Sequence, residues 1–406
     1  MPVAFLECSS CGLHLDIRLQ NTCTCGGVLV ARYDWADLQP QDLLPRTDLW
    51  RYSPLLPLEL SRAVPRGEGG TPLLRLVRLG GQLGMKSLYA KDEGRNPTGT
   101  FKARGMSVAV GMAKALGANS VIIPTAGNAG AAMAAYATAY GLRAIIIMAS
   151  DGPSEALHDA LAFGAMVFLV DEAHSDGGMI VRDVAAATGA FDLSTLREPY
   201  RVEGKKTMLF EIWDTLGGMP DWIVFPTSGG LGVTAIWKAI HELRALKWHE
   251  GDIPRLAIVQ ASGCAPLVSA FDEGKVTAEP WLTPTTRIAG MRAPDPRSAP
   301  FVLRALYESH GAAVAVDDEE MLAAAGRLAR QEGISACPEG GATLAGLQYL
   351  LRDGTISQSD RVVLMNTGSA RDPLGARSHP SAPLVRSSGE VLSALDRTMD
   401  ASSTNR

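Results

Sequence analysis

The chain has 406 residues, 46% hydrophobic and 20% charged, with a formal net charge of −5 and a pI near 5.9. This is ordinary globular usage, long enough for two or three domains with real cores. The mild acidity leaves no footprint for nucleic acid, no apolar run is long enough to cross a bilayer, and no targeting pattern opens the chain. A cytoplasmic protein is therefore the default expectation, with no membrane and no nucleic-acid partner.

Residues 1–35 hold four of the six cysteines, Cys8, Cys11, Cys23 and Cys25. Two close pairs of thiolates are the donor pattern of a zinc ribbon. The second pair has one intervening residue where two are usual, so a filled structural zinc site and a ribbon folded without metal both fit the spacing. Disulfides are disfavoured in the cytoplasm. Cys264 and Cys337 stand alone and read as packing residues. Residues 36–66 are proline-rich and read as a wrapping arm.

A strand-like run at 87–91 leads into Asn96-Pro97-Thr98-Gly99-Thr100-Phe101-Lys102, and a helix is predicted over 103–116. A lysine at a helix start meets partial positive charge, and a desolvated amine there loses its proton readily and becomes a nucleophile. Lys102 is thus a candidate to carry pyridoxal phosphate. A strand at 120–124 is followed by Thr125-Ala126-Gly127-Asn128-Ala129-Gly130 and a helix over 131–140. The backbone N–H groups of such a loop suit a carboxylate, and Asn128 is a donor for a phenolic oxygen.

Strands at 143–149 and 165–170 alternate with helices at 154–163, 178–187 and 204–216. A strand at 222–225 runs into Thr227-Ser228-Gly229-Gly230-Leu231-Gly232 and a helix over 233–246. This is a backbone cradle for a phosphate, without the lysine of a P-loop and without dinucleotide glycine spacing. Strands at 255–260 and 361–366 and helices at 318–331 and 342–351 complete the alternation, which predicts an α/β fold of parallel sheets covered by helices. Loops without a catalytic role are expected at 171–174 and 293–300, and a loose tail over 376–406.

These segments resemble the threonine synthases, within the fold-type II pyridoxal phosphate enzymes. The resemblance runs from Glu68-Gly69-Gly70-Thr71-Pro72-Leu73 to Thr367-Gly368-Ser369-Ala370-Arg371-Asp372-Pro373, about three quarters of the chain. It implies two lobes: a large cofactor-binding domain over 36–110 and 211–375, and a small mobile domain over 111–210, with the ribbon-like module at 1–35. It implies that Lys102 carries the cofactor and shuttles protons and that Asn128 faces the pyridoxal 3′-oxygen. Thr227, Ser228, Gly229, Gly230, Leu231 and Gly232 would hold the cofactor phosphate, and Thr367 would meet the pyridine nitrogen. Thr125, Ala126, Gly127 and Ala129 would bind the substrate's carboxylate end, and Arg201 and Lys206 its phosphate. A homodimer or larger homo-oligomer is also implied.

Four positions depart from the family pattern: Ala103, Ala129, Thr195 and Leu196 stand where the family has Asp, Thr, Asn and Ser. Losing one donor to a phosphate costs roughly 1.5–3 kcal/mol unless another replaces it, and Arg197 is a candidate replacement. Cys337-Pro338-Glu339 also departs, and Glu339 reads as a substrate contact or as a helix N-terminal charge. The expected activity is conversion of O-phosphohomoserine and water to threonine and phosphate. Alternatives are a β-elimination or β-replacement enzyme of the cysteate synthase or serine/threonine dehydratase kind, and a non-catalytic regulatory paralogue.

Overall fold

The computed structural model describes residues 3–35, 37–171, 176–370 and 383–403, the last seven as backbone. Residues 172–174 of one expected loop, 371–373 at the end of the family resemblance and 376–382 of the tail lie outside the described residues.

The larger sheet has the spatial order Ala312–Val316, Arg255–Ala261, Trp222–Pro226, Val362–Asn366, Leu88–Asp92 and Leu73–Arg75. Its first five strands are mutually parallel, and Leu73–Arg75 closes one edge in antiparallel pairing. Strand periodicity divides its side chains between two cores. Ile223, Phe225, Ile258 and Met365 enter one, while Trp222, Val224, Val259 and Leu364 enter the other. The smaller sheet, in the order Met166–Val170, Arg143–Ala149, Ser120–Thr125 and Phe191–Asp192, is entirely parallel. It too is buried on both faces, with Val121, Ile123 and Ile146 on one side and Ile122, Ile145 and Ile147 on the other. That is why these strands read as continuous apolar runs.

One expectation changes. The C-terminal segment is not loose where it is described. Leu384 bridges to Leu169, and Val385, Val391 and Leu395 join the core on the outer face of the smaller sheet, with helix Ser388–Ser403 beside helix Gly177–Thr188. Each buried aliphatic side chain of this kind contributes about 1.5–3 kcal/mol, enough to hold a short segment down. The cysteine module, with strands His14–Leu15, Val3–Cys8 and Leu29–Tyr33 in antiparallel order, packs against the body. Val3, Leu6, Leu29 and Ala31 pack in one core with Leu58 and Met106, and Asn21 donates to the Asp192 carbonyl at 2.6 Å. The proline-rich arm does wrap the body and is anchored by fully buried Trp50, Leu55, Leu56 and Leu58.

Candidate active site

Four strands deliver their C-terminal ends to one cleft between the two sheets, the usual ligand position in parallel α/β folds. Strand Leu88–Asp92 leads to the lysine turn, Ser120–Thr125 to the Gly127–Asn128 loop, Trp222–Pro226 to the glycine cradle, and Val362–Asn366 to Thr367. A cavity of about 230 Å³ lies there, lined by Lys102, Asn128, Ser228, Gly229, Thr367 and Arg201 among others.

The lysine turn is fixed from below by a buried polar network. Arg104 donates to Glu93 at 2.6 and 2.8 Å, to Glu211 at 2.6 and 2.7 Å, and to the Thr71 and Thr207 hydroxyls. Lys91 adds a second cation against Glu211 at 2.6 Å. Asn96 donates to Glu93 and accepts from the Gly69 N–H, which pins the Asn-Pro turn. From the other side, the Phe101 N–H donates to the Thr367 carbonyl at 3.0 Å, so the residue before the lysine is tied to a proposed cofactor contact.

Lys102 occupies the first position of helix Lys102–Ala115. Burial and then Arg201 lower its amine from the ordinary 10.5 to about 8, against opposing pulls from Glu339 and Cys337. Its Nζ lies 4.4 Å from the centroid of the Phe101 ring. Arg201 starts helix Arg201–Leu216. It donates to the Leu193 carbonyl at 2.7 Å, and its buried Nε has no hydrogen-bond partner among the described residues. The two helices cross without space for side chains. A Cβ added at Gly204 would lie 1.9 Å from the Arg104 carbonyl oxygen, and one at Gly105 2.8 Å from that of Arg201. This contact of two glycines draws Lys102 and Arg201 to the same cavity.

The 125–130 loop is braced by the Thr125 hydroxyl, which accepts from the Gly127 and Gly130 N–H groups at 2.9 and 3.4 Å. Gly127 has φ +146°, a conformation that favours glycine, and leads into helix Asn128–Tyr140. Thr125, Ala126, Gly127 and Ala129 line the cavity together with Asn128. The cradle residues Thr227, Ser228, Gly229, Gly230, Leu231 and Gly232 line an adjoining compartment at the start of helix Leu231–Ala245.

Lys206 is a correction. Its amine is fully enclosed and donates to Glu203 at 2.6 Å and Glu242 at 3.1 Å, over the Tyr33 ring, and it lines neither compartment. Arg197 is likewise spent on Asp192 at 3.1 Å rather than offered to the cavity. Of the four departures, Ala129 and Thr195 line the cavity, while Ala103 and Leu196 are packing residues away from it. Cys337 and Glu339 both line it, so Cys337 is more than filling; burial and then Glu339 hold its thiol well above the usual range. Lys205, Arg292 and Ala293 also line the two compartments, and the sequence reading gave them no role.

Residues 64–368 match the family model described as pyridoxal-phosphate dependent enzyme. The chain belongs to that family. Among its relatives, the threonine synthase of Methanocaldococcus jannaschii is 36% identical over 377 residues, covering 90% of this chain and 93% of that protein. The threonine synthase of Methanosarcina acetivorans is 36% identical and covers 91% and 92%, and that of Mycobacterium tuberculosis (strain ATCC 25618 / H37Rv) is 35% identical and covers 82% and 87%. Among solved structures, maize serine racemase superposes with a TM-score of 0.64 at 20% identity over 82% of this chain and 93% of that one. The processed form of threonine deaminase isoform 2 from Solanum lycopersicum superposes at 0.62 and 18%, over 75% and 84%. These two likenesses show the fold.

The residues fit the cofactor that defines this family. A half-buried amine with a lowered proton affinity faces a cavity bordered by a glycine loop at a helix start. At Gly229 an added Cβ would meet no protein atom within 4 Å, so the loop leaves its front open. At Gly230, φ +73° and a Cβ contact of 2.3 Å with Ser298 Oγ both require glycine.

Proposed function

We propose that this pyridoxal phosphate-dependent enzyme is a lyase that converts O-phosphohomoserine and water to threonine and phosphate. The observation that carries this reading is the match to threonine synthases along about nine tenths of the chain, in a fold that brings Lys102, Asn128, Thr367 and the glycine cradle to one cavity.

Pyridoxal phosphate, when bound, draws electrons from the α-carbon of an amino acid and makes the neighbouring hydrogens acidic. Lys102 is the residue placed to carry it and then, as a free amine, to take the α-proton and move protons at Cβ. The Ser228–Gly232 backbone would hold the cofactor phosphate, Asn128 its phenolic oxygen and Thr367 its ring nitrogen. The N–H groups of the 125–129 loop suit the substrate carboxylate. Arg201, with an unpartnered Nε at the cavity wall, is placed to receive the substrate phosphate. Lys102 removes a proton from Cβ as the Cγ–O bond breaks and phosphate leaves; Cγ then takes up a proton to become the methyl group, water gives its hydroxyl to Cβ, and a proton returns to Cα.

Two measurements test this. Borohydride reduction followed by peptide mass spectrometry should place the cofactor adduct on Lys102; an adduct on Lys205, which lines the adjoining compartment, or on Lys91 overturns the assignment. Phosphate release should be seen with O-phosphohomoserine and accompanied by threonine. Turnover of O-phosphoserine in its place would leave the family intact and sink this substrate.

We also propose that the N-terminal module holds a structural zinc ion. The Sγ atoms of Cys8, Cys11, Cys23 and Cys25 all lie within 4.8 Å of one another, with neighbouring pairs at 3.5, 3.5 and 3.8 Å. A tetrahedral ZnS₄ centre with ~2.3 Å bonds separates its sulfurs by about 3.8 Å. The short Cys23–Cys25 spacing is thus no obstacle, because the turn closed by the Cys23 and Gly26 N–H groups brings both sulfurs to the same side.

A further inference from the structure

One buried cation of this site has no counter-charge. Lys205 lies one turn after Arg201 on helix Arg201–Leu216 and is 1% exposed. Among the described residues no carboxylate pairs with it and no acceptor takes its protons, in contrast to Lys206 beside it. Its Nζ lies 4.2 Å from the centroid of the Phe101 ring, the same ring that Lys102 approaches. Glu198 is the acid nearest in effect, but its carboxylate accepts from the Tyr200 and Arg201 N–H groups instead. Burial, and then repulsion from Lys102 and Arg201, push the Lys205 amine well below the ordinary lysine range. Three basic groups gathered around one pocket can all carry their protons there at little cost only when an anion joins them.

A second observation says where the anion sits. Lys205 lines the smaller compartment, about 80 Å³, whose other wall is the Ser228–Gly232 backbone. That wall is the start of a fifteen-residue helix, with N–H groups free of intrahelical partners, and its face at Gly229 is open. Lys205 does not line the larger cavity, whereas Arg201 lines both.

We propose that Lys205 is the cationic contact for the phosphate monoester of the cofactor, closing over the Ser228–Gly232 cradle, and that Arg201 is thereby left for anionic groups of the substrate. This rests on the cofactor reading above. The amine would donate charge-assisted hydrogen bonds to phosphate oxygens that otherwise meet only backbone dipoles.

The test uses full-length protein stripped of cofactor in phosphate-free buffer, comparing wild type with Lys205→Met and Lys205→Arg; Lys205→Gln replaces the methionine variant if that one does not fold. Binding of pyridoxal 5′-phosphate and of pyridoxal, which lacks the phosphate, is measured by absorbance titration. Lys205→Met should weaken pyridoxal 5′-phosphate about ten- to a hundredfold. It should leave pyridoxal binding unchanged, and Lys205→Arg should recover most of the loss. Without ligand, Lys205→Met should melt at or above the wild-type temperature, because an unpaired buried amine has been removed. It should also lose most of the melting-temperature gain that the cofactor confers. Unchanged cofactor affinity, or equal weakening of both ligands, overturns the proposal. So does a rise in KM for the phosphorylated substrate with cofactor affinity intact, which would give Lys205 to the substrate's phosphate. A wild-type protein that binds no pyridoxal 5′-phosphate would overturn the cofactor reading as well.

Discussion

Lys102 and Arg104 stand two residues apart on one helix, both cationic, and the chain treats their burial in opposite ways. Arg104 is fully enclosed and fully paired, its guanidinium shared between Glu93 and Glu211. Removing one partner from such a network leaves uncompensated charge, at a typical cost of about 3–5 kcal/mol. Arg104→Met should therefore lower the urea midpoint sharply at pH 7; an unchanged midpoint would mean that the network does not support the turn. The same network sets an acid limit. Burial alone would raise the Glu211 carboxyl, but Arg104 and Lys91 outweigh it and hold it at about 2, below the ordinary 4.5. Stability from a depressed carboxylate is complete above about pH 4.5 and is lost as pH falls from there through 2. Urea midpoints taken from pH 7 down to 3 should begin to fall below 4.5, and less steeply in Glu211→Gln. Lys102 was legible in the sequence because its setting is local: Asn96, Pro97 and Gly99 write a turn before it. Lys205 and Lys206 were not. Successive helical residues point about 100° apart, and every residue from 201 to 212 is buried, so no apolar stripe marks the face that meets the cavity.

At the level of elements, glycines decide the site as much as charged residues do. The crossing at Gly105 and Gly204 sets how near Lys102 and Arg201 come, and neither glycine could be recognised from the sequence, since each acts only against the partner helix. Strands rich in Val and Ile were legible. Ala312–Val316 was not, because its alanines have little intrinsic preference for a strand and its place comes from pairing with Arg255–Ala261. The docked C-terminal segment was missed for a similar reason: its few apolar residues gain meaning only beside the uncovered face of the smaller sheet. The cysteine module reaches the site through side chains. Tyr33 donates to Glu203 at 2.6 Å, and Glu203 holds Lys206, next to Lys205. A chelator strong enough to take the proposed zinc should therefore lower the melting temperature of the whole chain and not of a detached module, because a metal bound at such a site contributes directly to folding free energy. One mole of zinc per chain by metal analysis, and a single cooperative transition shifted downward after removal, are expected. Protein purified without chelator that carries no zinc and melts at the same temperature as the chelated sample would reject the metal and leave a ribbon folded by packing alone.

For the whole molecule, the arrangement of two sheets about one cleft argues for a closing motion. The cleft walls come from different sheets: Lys102, the cradle and Thr367 are tied to the larger one, and the 125–130 loop to the smaller. One exposed contact spans the mouth. Arg292, which lines the cavity from the larger sheet's side, donates to Asp151 at 2.7 Å, just beyond strand Arg143–Ala149 of the smaller sheet. With Asp151 more than half exposed, such a pair contributes at most about 1 kcal/mol, so it can latch a closed state without locking it. Substrate bridging both walls would then supply the remaining bias, and water would be shut out while the amine at Lys102 works. We expect the smaller sheet and its 125–130 loop to move as a unit between cofactor-only and substrate-analogue crystals, with the Arg292–Asp151 distance as the gauge. Arg292→Ala should raise KM while leaving cofactor affinity unchanged, since the cradle lies on one side of the hinge. Superimposable lobes in the two crystals, together with a kinetically silent Arg292→Ala, would mean that the site is rigid and that the cleft excludes water by its static shape.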